Sequence, residues 1–199
     1  GEIPRLAVAE LANAEAALER WQLVALFHWT DGQEPFDTEL ELPVVSPGVL
    51  ECKSTSAHGW HVFEFWSGTY YRLSSWPGKL LVKAMPPRGC SLFAVHEARS
   101  GLAQFVGSDV HVSCGLELGR WREERGSLEF ALSAGRALTA GHRVWLQLPE
   151  ASESRPPRLA AQGGEVASLK PPVQVAGEVW CVELPRIAPS GEPGLKVEW

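Results

Sequence analysis

Residues 61–95, "HVFEFWSGTYYRLSSWPGKLLVKAMPPRGCSLFAV", alternate short runs of β-forming residues with turn signals. The runs at 60–66, 79–85 and 90–98 are mostly apolar, and the segments "SSWPG" and "PPRG" separate them. Short apolar runs between Gly- and Pro-containing segments are typical of antiparallel strands joined by turns. This stretch therefore predicts three strands of an all-β domain.

The same rhythm continues on both sides of that stretch, because 19 glycines and 15 prolines punctuate the chain. In 127–133, alternation places Leu128, Phe130 and Leu132 on one face and Glu129 on the other. A sheet with one apolar face needs a second layer, so we expect antiparallel β-sandwiches. Further strand-like runs lie at 21–29, 36–42, 103–108, 114–124, 142–148, 173–177, 178–184 and 194–199.

Two such sandwiches in tandem are expected. The polar segment "EARSG" at 97–101 contains Gly and separates two sets of strands. We therefore predict a first β-sandwich at 1–98 and a second at 99–199.

One segment departs from the β pattern. Residues 10–20, "ELANAEAALER", are rich in helix formers and carry Leu11, Ala14 and Leu18 at helical spacing. They predict one short helical insertion between the first two strands.

The net charge and the length of the apolar runs limit the classes of partner that we expect. The net charge is -6, and basic residues form no run, which argues against nucleic acid as a partner. No apolar stretch approaches the roughly 20 residues that span a bilayer, so no membrane partner is expected. The chain begins at Gly1 without an initiator Met, which is typical of a piece of a longer protein.

No metal site or cofactor is predicted. Cys52, Cys90, Cys114 and Cys181 are far apart and lack the CxxC spacing of a zinc site. Cys90 and Cys181 lie in apolar runs, where cysteine usually acts as a small buried side chain.

No catalytic residue is predicted either. The chain has no GxSxG motif, and "GCS" at 89–91 precedes a strand. Glycosidases need two carboxyl groups about 5–10 Å apart across a cleft. We expect Glu64, Glu123 and Glu124 to be solvated on outer faces and turns instead.

Aromatic residues are dense in one part of the chain and form a candidate surface for carbohydrate or for domain packing. Alternation in 60–66 places Trp60 and Trp66 on a polar face with Glu64. It assigns Phe63 and Phe65 to the core. The candidate residues are Trp60, Trp66, Tyr70, Tyr71 and Trp76.

His111 is a candidate structural residue. It follows a Gly-Ser turn and Asp109, so it is placed to form local hydrogen bonds. We expect His111 and Asp109 to fix the direction in which the second domain leaves the first.

Four phrases together resemble the C-terminal region of melibiase-type, α-galactosidase-like glycoside hydrolases. They are "WQLVALFHWTD" (21–31), "HVFEFWSGTYY" (61–71), "MPPRGCSLFAV" (85–95) and "FVGSDVHVSCG" (105–115). In that family a catalytic (β/α)8 barrel is followed by β-sandwich domains. The resemblance covers about residues 20–120, and the order and spacing of the phrases carry it.

The sequence departs from the family pattern at four positions within these phrases. His28 stands where the family has Asn, Glu64 where it has Asp, Arg88 where it has His, and Ser108 where it has Thr.

The resemblance implies a non-catalytic accessory region that packs against the catalytic barrel of its parent protein. In the family the catalytic carboxylates lie on barrel strands, and no alternation of strand and helix is present here to build a barrel. Two alternatives stay open: an independent carbohydrate-binding module, and an immunoglobulin-like interaction protein.

Overall fold

A computed structural model describes residues 5–14, 18–29, 31–32, 34–44, 58–74, 78–133, 141–151, 153–162, 169–185 and 194–199. In these ranges the chain forms fifteen β-strands and no α-helix. Within the same ranges, no helix is long and apolar enough to cross a membrane. The predicted all-β class is confirmed.

The chain divides into two compact units. The first comprises Gly1–Leu11 and Arg20–Ala98, and the second comprises Ala12–Glu19 and Arg99–Trp199. That 1–98 and 99–199 are separate domains stays a prediction, and Ala12–Glu19 groups with the second unit.

The first unit contains a five-stranded sheet in the order β1-β2-β7-β4-β5 and a two-stranded sheet, β3-β6. All strand pairs with a defined register are antiparallel. The strands are β1 (Leu6–Asn13), β2 (Leu18–Phe27), β3 (Phe36–Leu42), β4 (Trp60–Glu64), β5 (Thr69–Leu73), β6 (Gly78–Met85) and β7 (Cys90–Glu97).

One apolar cluster joins the two sheets of the first unit. Side chains from the five-stranded sheet and from β3 and β6 meet in it, so the sheets pack as the two layers of a sandwich. Its buried members are Val24, Leu26, Leu40, Leu42, Trp60, Val62, Leu73, Leu80, Met85, Phe93 and Val95.

The second unit consists of two four-stranded sheets, in the orders β12-β15-β10-β9 and β13-β14-β11-β8. The predicted face of Leu128, Phe130 and Leu132 is confirmed, because each of these side chains is buried. The strands are β8 (Gln104–Ser108), β9 (Leu118–Glu124), β10 (Ser127–Leu132), β11 (Arg143–Gln147), β12 (Arg158–Gln162), β13 (Val173–Ala176), β14 (Val179–Glu183) and β15 (Gly194–Glu198).

The predicted helical insertion is wrong at residues 10–13 and 18–20, which are extended, whereas Ala14 has a 3₁₀ conformation. Residues 10–13 belong to β1 and residues 18–20 belong to β2, while 15–17 lie outside the described residues. The two strands pair with each other, and Leu6 and Val8 of β1 pack against the core cluster. Strand pairing and burial outweigh the helix propensity of this segment, which is worth only tenths of a kcal/mol per residue.

Candidate functional site

Three of the phrases that carry the resemblance meet at one end of the five-stranded sheet. β2 ends at Phe27, and the backbone N–H of His28 donates to the Gly89 carbonyl oxygen at 3.0 Å. On the other side of β7, the N–H of Phe65 donates to the Leu92 carbonyl oxygen at 2.8 Å. Because β2 and β4 flank β7, these two strands lie two strand spacings apart, about 10 Å, and their ends at Phe27 and Glu64 are staggered by three residues along β7.

Four aromatic residues at this end form what we call the aromatic end: Phe27, Trp29, Phe65 and Trp66. Trp29 stacks on Phe27, with ring centroids 4.9 Å apart and planes inclined by 11°. Trp66 meets Phe65 edge-on, also with centroids 4.9 Å apart. The side chains of Trp29 and Trp66 are 49% and 61% exposed. Each half-buried phenylalanine thus supports an exposed indole.

A buried carboxylate holds the turn that carries Trp66. Glu64 is buried and accepts three hydrogen bonds: from the Ser67 N–H at 2.7 Å, the Ser67 hydroxyl at 2.7 Å and the Leu92 N–H at 3.2 Å. Gly68 closes the turn at a φ of 67°, in the left-handed region that glycine adopts without strain. The prediction that Glu64 is solvated is wrong, because three donors replace its water.

The third phrase, residues 85–95, contributes the turn before β7 to this end of the sheet. The His28 ring Nδ1 lies 3.2 Å from the Met85 carbonyl oxygen and 3.1 Å from that of Pro86. Since both neighbours are acceptors, Nδ1 carries the proton in this arrangement. Gly89 is required, because a Cβ atom there would lie 2.6 Å from the Pro86 carbonyl oxygen. His28 therefore ties the end of β2 to the turn before β7.

The structure places the sequence-predicted surface residues in different environments. Trp66 belongs to the aromatic end, whereas Trp60 is 4% exposed and belongs to the core cluster. The expectation that Trp60 lies on a polar outer face is wrong. Tyr70 and Tyr71 are half-buried on β5, and Trp76 lies outside the described residues.

The two tyrosines are not acidic groups at neutral pH. Burial raises the pKa of Tyr70 above its ordinary value. Burial, and then the charge of the Glu64 carboxylate, raise the pKa of Tyr71. The Tyr70 hydroxyl lies 2.9 Å from Nδ1 of the buried His61, so this side chain takes part in a local polar contact.

Asp109 and His111 have separate hydrogen-bond partners in the second unit. Asp109 accepts from the Arg143 N–H at 2.8 Å and from Arg143 Nε at 3.1 Å, and it lies 3.1 Å from His142 Nδ1. His111 Nδ1 accepts from the Ser113 N–H at 3.2 Å. Asp109 thus joins the end of β8 to the start of β11. An interdomain role for Asp109 and His111 stays a prediction.

Sequence reasoning missed a second buried carboxylate, Glu117. It is 3% exposed and accepts from the Ser108 hydroxyl, from the Ser113 hydroxyl at 3.1 Å and from the Gly115 N–H at 2.7 Å. His111, Ser113 and Glu117 form a hydrogen-bonded chain, but Ser113 lies between the other two, whereas in a serine hydrolase the histidine lies between the serine and the carboxylate. The Ser113 hydroxyl is also buried and accepts from the Leu116 N–H at 3.1 Å, so it is positioned as a structural link.

The half-buried thiols Cys90 and Cys181 are poor nucleophiles. Burial, and then the Glu64 carboxylate, raise the pKa of Cys90. Burial raises the pKa of Cys181 from about 9 to about 11, reinforced by the Asp109 and Glu183 carboxylates and opposed by Arg143. The thiolate is the reactive form, and at pH 8 a thiol of pKa about 11 is ionised in about one molecule per thousand.

We therefore expect iodoacetamide at pH 8 to alkylate Cys181 at least about tenfold more slowly in the folded chain than in concentrated guanidinium chloride, and Cys90 also more slowly. The measurement is peptide-resolved mass spectrometry over time. For Cys181 the rate should keep rising as the pH approaches 11, since its pKa is about 11. Equal rates in folded and unfolded chain would contradict this.

In the described part of the chain, no group of three or more His, Cys, Asp and Glu residues could hold a metal ion. No protein-family profile matches the chain, and no curated protein matches its sequence.

The aromatic end is thus the surface that the chain's own contacts single out: two exposed indoles on a framework of buried hydrogen bonds. Trp29 was missed in the sequence, although its place just after a strand and before "TDG" is a usable signal.

Proposed function

We propose that the chain is a non-catalytic accessory β-sandwich region of a larger, α-galactosidase-like glycoside hydrolase. The aromatic end would pack against the catalytic barrel of that protein. The observation that carries the proposal is the exposure of Trp29 and Trp66, at 49% and 61%, on backbone that is held firmly in place. Tryptophans in such positions are the commonest anchors of protein interfaces.

The state of the buried acids supports a non-catalytic role. The carboxylates of Glu64 and Glu117 each accept three hydrogen bonds from nearby backbone and hydroxyl groups. A glycosidase acid or nucleophile must instead face the substrate. These two carboxylates stabilise turns and cannot approach a glycosidic bond.

A carbohydrate-binding module is the second candidate. The two indoles project from one end of a sheet, and indoles stack on sugar rings. The half-exposed Trp29 and the flanking Arg88–Asp31 ion pair, at 2.6 Å, would suit a short saccharide. An immunoglobulin-like interaction protein would use the same surface without any link to sugars.

The proposal predicts that the double variant Trp29→Ala/Trp66→Ala binds the separately expressed catalytic barrel at least about several hundredfold more weakly than residues 1–199 do. The reason is that removing each interface tryptophan typically costs about 2 kcal/mol or more, which is about thirtyfold in affinity per residue. Isothermal titration calorimetry measures the affinity. The matched control is Leu81→Ala, which removes a 52% exposed apolar side chain elsewhere in the first unit and should leave the affinity unchanged.

Two results would overturn the proposal. One is a natural polypeptide that contains no barrel next to this chain. The other is a saturable change in tryptophan fluorescence at millimolar galactose or gluco-oligosaccharide that the double variant abolishes, since this favours the carbohydrate-binding module.

A further inference from the structure

A cleft of about 750 Å³ lies at one edge of the second unit. Residues 154–157 and the start of β12 form one wall, and residues 170–172, which lead into β13, form the other. β12 and β13 are the edge strands of the two different sheets. This volume falls within the range of small-molecule sites in proteins. The described lining residues are Ser154, Arg155, Pro156, Pro157, Arg158, Leu159, Lys170, Pro171, Pro172, Glu198 and Trp199.

Both walls are stiff. Each contains a Pro-Pro pair, whose rings fix the backbone before any ligand arrives. The N–H of Trp199 donates to the Gly126 carbonyl oxygen at 3.0 Å, which holds the base of the cleft. A site with a fixed shape loses little conformational entropy when it binds a ligand.

The charge of the cleft is opposite to that of the chain. The chain has a net charge of -6, yet the described lining holds Arg155, Arg158, Lys170 and a single carboxylate, Glu198. That carboxylate lies 2.6 Å from Lys196 Nζ, a cation outside the lining. The cleft therefore favours an anion.

Two of the three lining cations are available to a ligand. Lys170 pairs with Glu183 at 2.8 Å. In the described ranges, neither Arg155 nor Arg158 forms an ion pair within 4.0 Å, and both side chains are exposed. Arg158 lies opposite Glu198 between β12 and β15, and its charge adds to the effect of Lys196 in lowering the pKa of that carboxyl. A guanidinium group binds a carboxylate through two parallel hydrogen bonds, which gives direction as well as affinity.

The apolar part of the lining consists of rings. The half-buried indole of Trp199 and the proline rings offer flat or shallow surfaces next to the two guanidinium groups. A pyranose ring that carries a carboxylate satisfies both parts of the lining, because its C–H face can pack on the indole while its carboxylate meets the guanidinium groups. An extended acidic peptide needs a longer basic track than this cleft provides.

We propose that this cleft binds a uronic acid residue of an acidic saccharide. Arg155 and Arg158 hold its carboxylate, and Trp199 packs against a face of its ring. The inference does not depend on the proposed function, which concerns the aromatic end of the first unit.

Calorimetric titration of residues 1–199 with tri-galacturonate and tri-glucuronate tests the proposal. We expect saturable binding of at least one acidic trisaccharide, weakened by added NaCl because the recognition is ionic. Arg155→Ala and Arg158→Ala should each weaken it about tenfold or more, since each removes a charge-assisted pair. Lys83→Ala, which removes an exposed cation from the first unit, is the matched control and should bind as the unmodified chain does.

Several outcomes would overturn the proposal. They are no binding of either trisaccharide, equal binding of a neutral galactose trisaccharide, tighter binding of inorganic phosphate or of an acidic peptide, and unchanged binding in the Arg155→Ala/Arg158→Ala variant. Circular dichroism of each variant separates loss of binding from loss of folding. Trp199→Phe keeps a ring in place and should retain most of the affinity, whereas Trp199→Ala should not.

Discussion

Replacing Glu117 with alanine is expected to lower the free energy of unfolding of the second unit by roughly 3–5 kcal/mol. The carboxylate is 3% exposed and is the shared acceptor for the Ser108 and Ser113 hydroxyls and the Gly115 N–H. Its removal leaves these buried donors without an acceptor and creates a cavity, and both effects destabilise the fold. Urea denaturation followed by tryptophan fluorescence measures the change.

The controls for Glu117 separate charge from connectivity. Glu117→Gln keeps the side-chain volume and one oxygen acceptor. It should therefore lower the free energy of unfolding, but by less than Glu117→Ala does. Glu153→Ala removes an exposed carboxylate from a turn of the same unit and should change stability by less than about 0.5 kcal/mol. A Glu117→Ala variant as stable as Glu153→Ala would show that the buried network contributes nothing.

The second large effect is expected at Glu64. Glu64→Ala should lower the free energy of unfolding of the first unit by about 3 kcal/mol, because the Ser67 and Leu92 donors lose a charged acceptor. Hydrogen exchange of the Ser67 and Leu92 amides should quicken with it, since the turn that carries Trp66 loses its attachment to β7. Denaturation and NMR-detected exchange measure the two effects.

Conservative changes make the Glu64 prediction sharper. Glu64→Asp restores the residue of the melibiase-type pattern, but its shorter side chain can keep the Ser67 bonds only by giving up the Leu92 bond at 3.2 Å. Glu64→Asp should therefore lower the free energy of unfolding by about 1 kcal/mol, which is the typical net contribution of one hydrogen bond. Glu41→Ala, at an exposed position of β3, is the matched control. A loss in Glu64→Ala no larger than in Glu41→Ala would contradict the assigned role.

The β-fold could be predicted from the sequence because its signals are local. Alternation places Leu128, Phe130 and Leu132 on one face, and all three are buried. The helical prediction failed at 10–13 and 18–20 because the extended form of these residues depends on pairing between β1 and β2 and on a core built by distant strands. A propensity counted within eleven residues cannot include these contacts.

Only part of the candidate site could be predicted from the sequence. The aromatic density of 60–76 drew attention to Trp66, but its counterpart Trp29 lies in another phrase and joins it only through the strand order β2-β7-β4. Burial of Glu64 was equally hidden. Alternation assigns a face to a side chain, but it does not reveal that a turn and a neighbouring strand supply donors on that face.

The placement of β7 between β2 and β4 has an evolutionary consequence. Ladders on either side of β7 fix Phe27 and Glu64, the last residues of the strands that lead to the two exposed indoles. The chain between those strands can therefore gain or lose residues without changing the separation of the strand ends. Insertions and deletions in the connecting loops therefore leave the geometry of the aromatic end unchanged. A partner that binds the aromatic end as proposed would meet the same strand spacing in variants whose connecting segments differ in length.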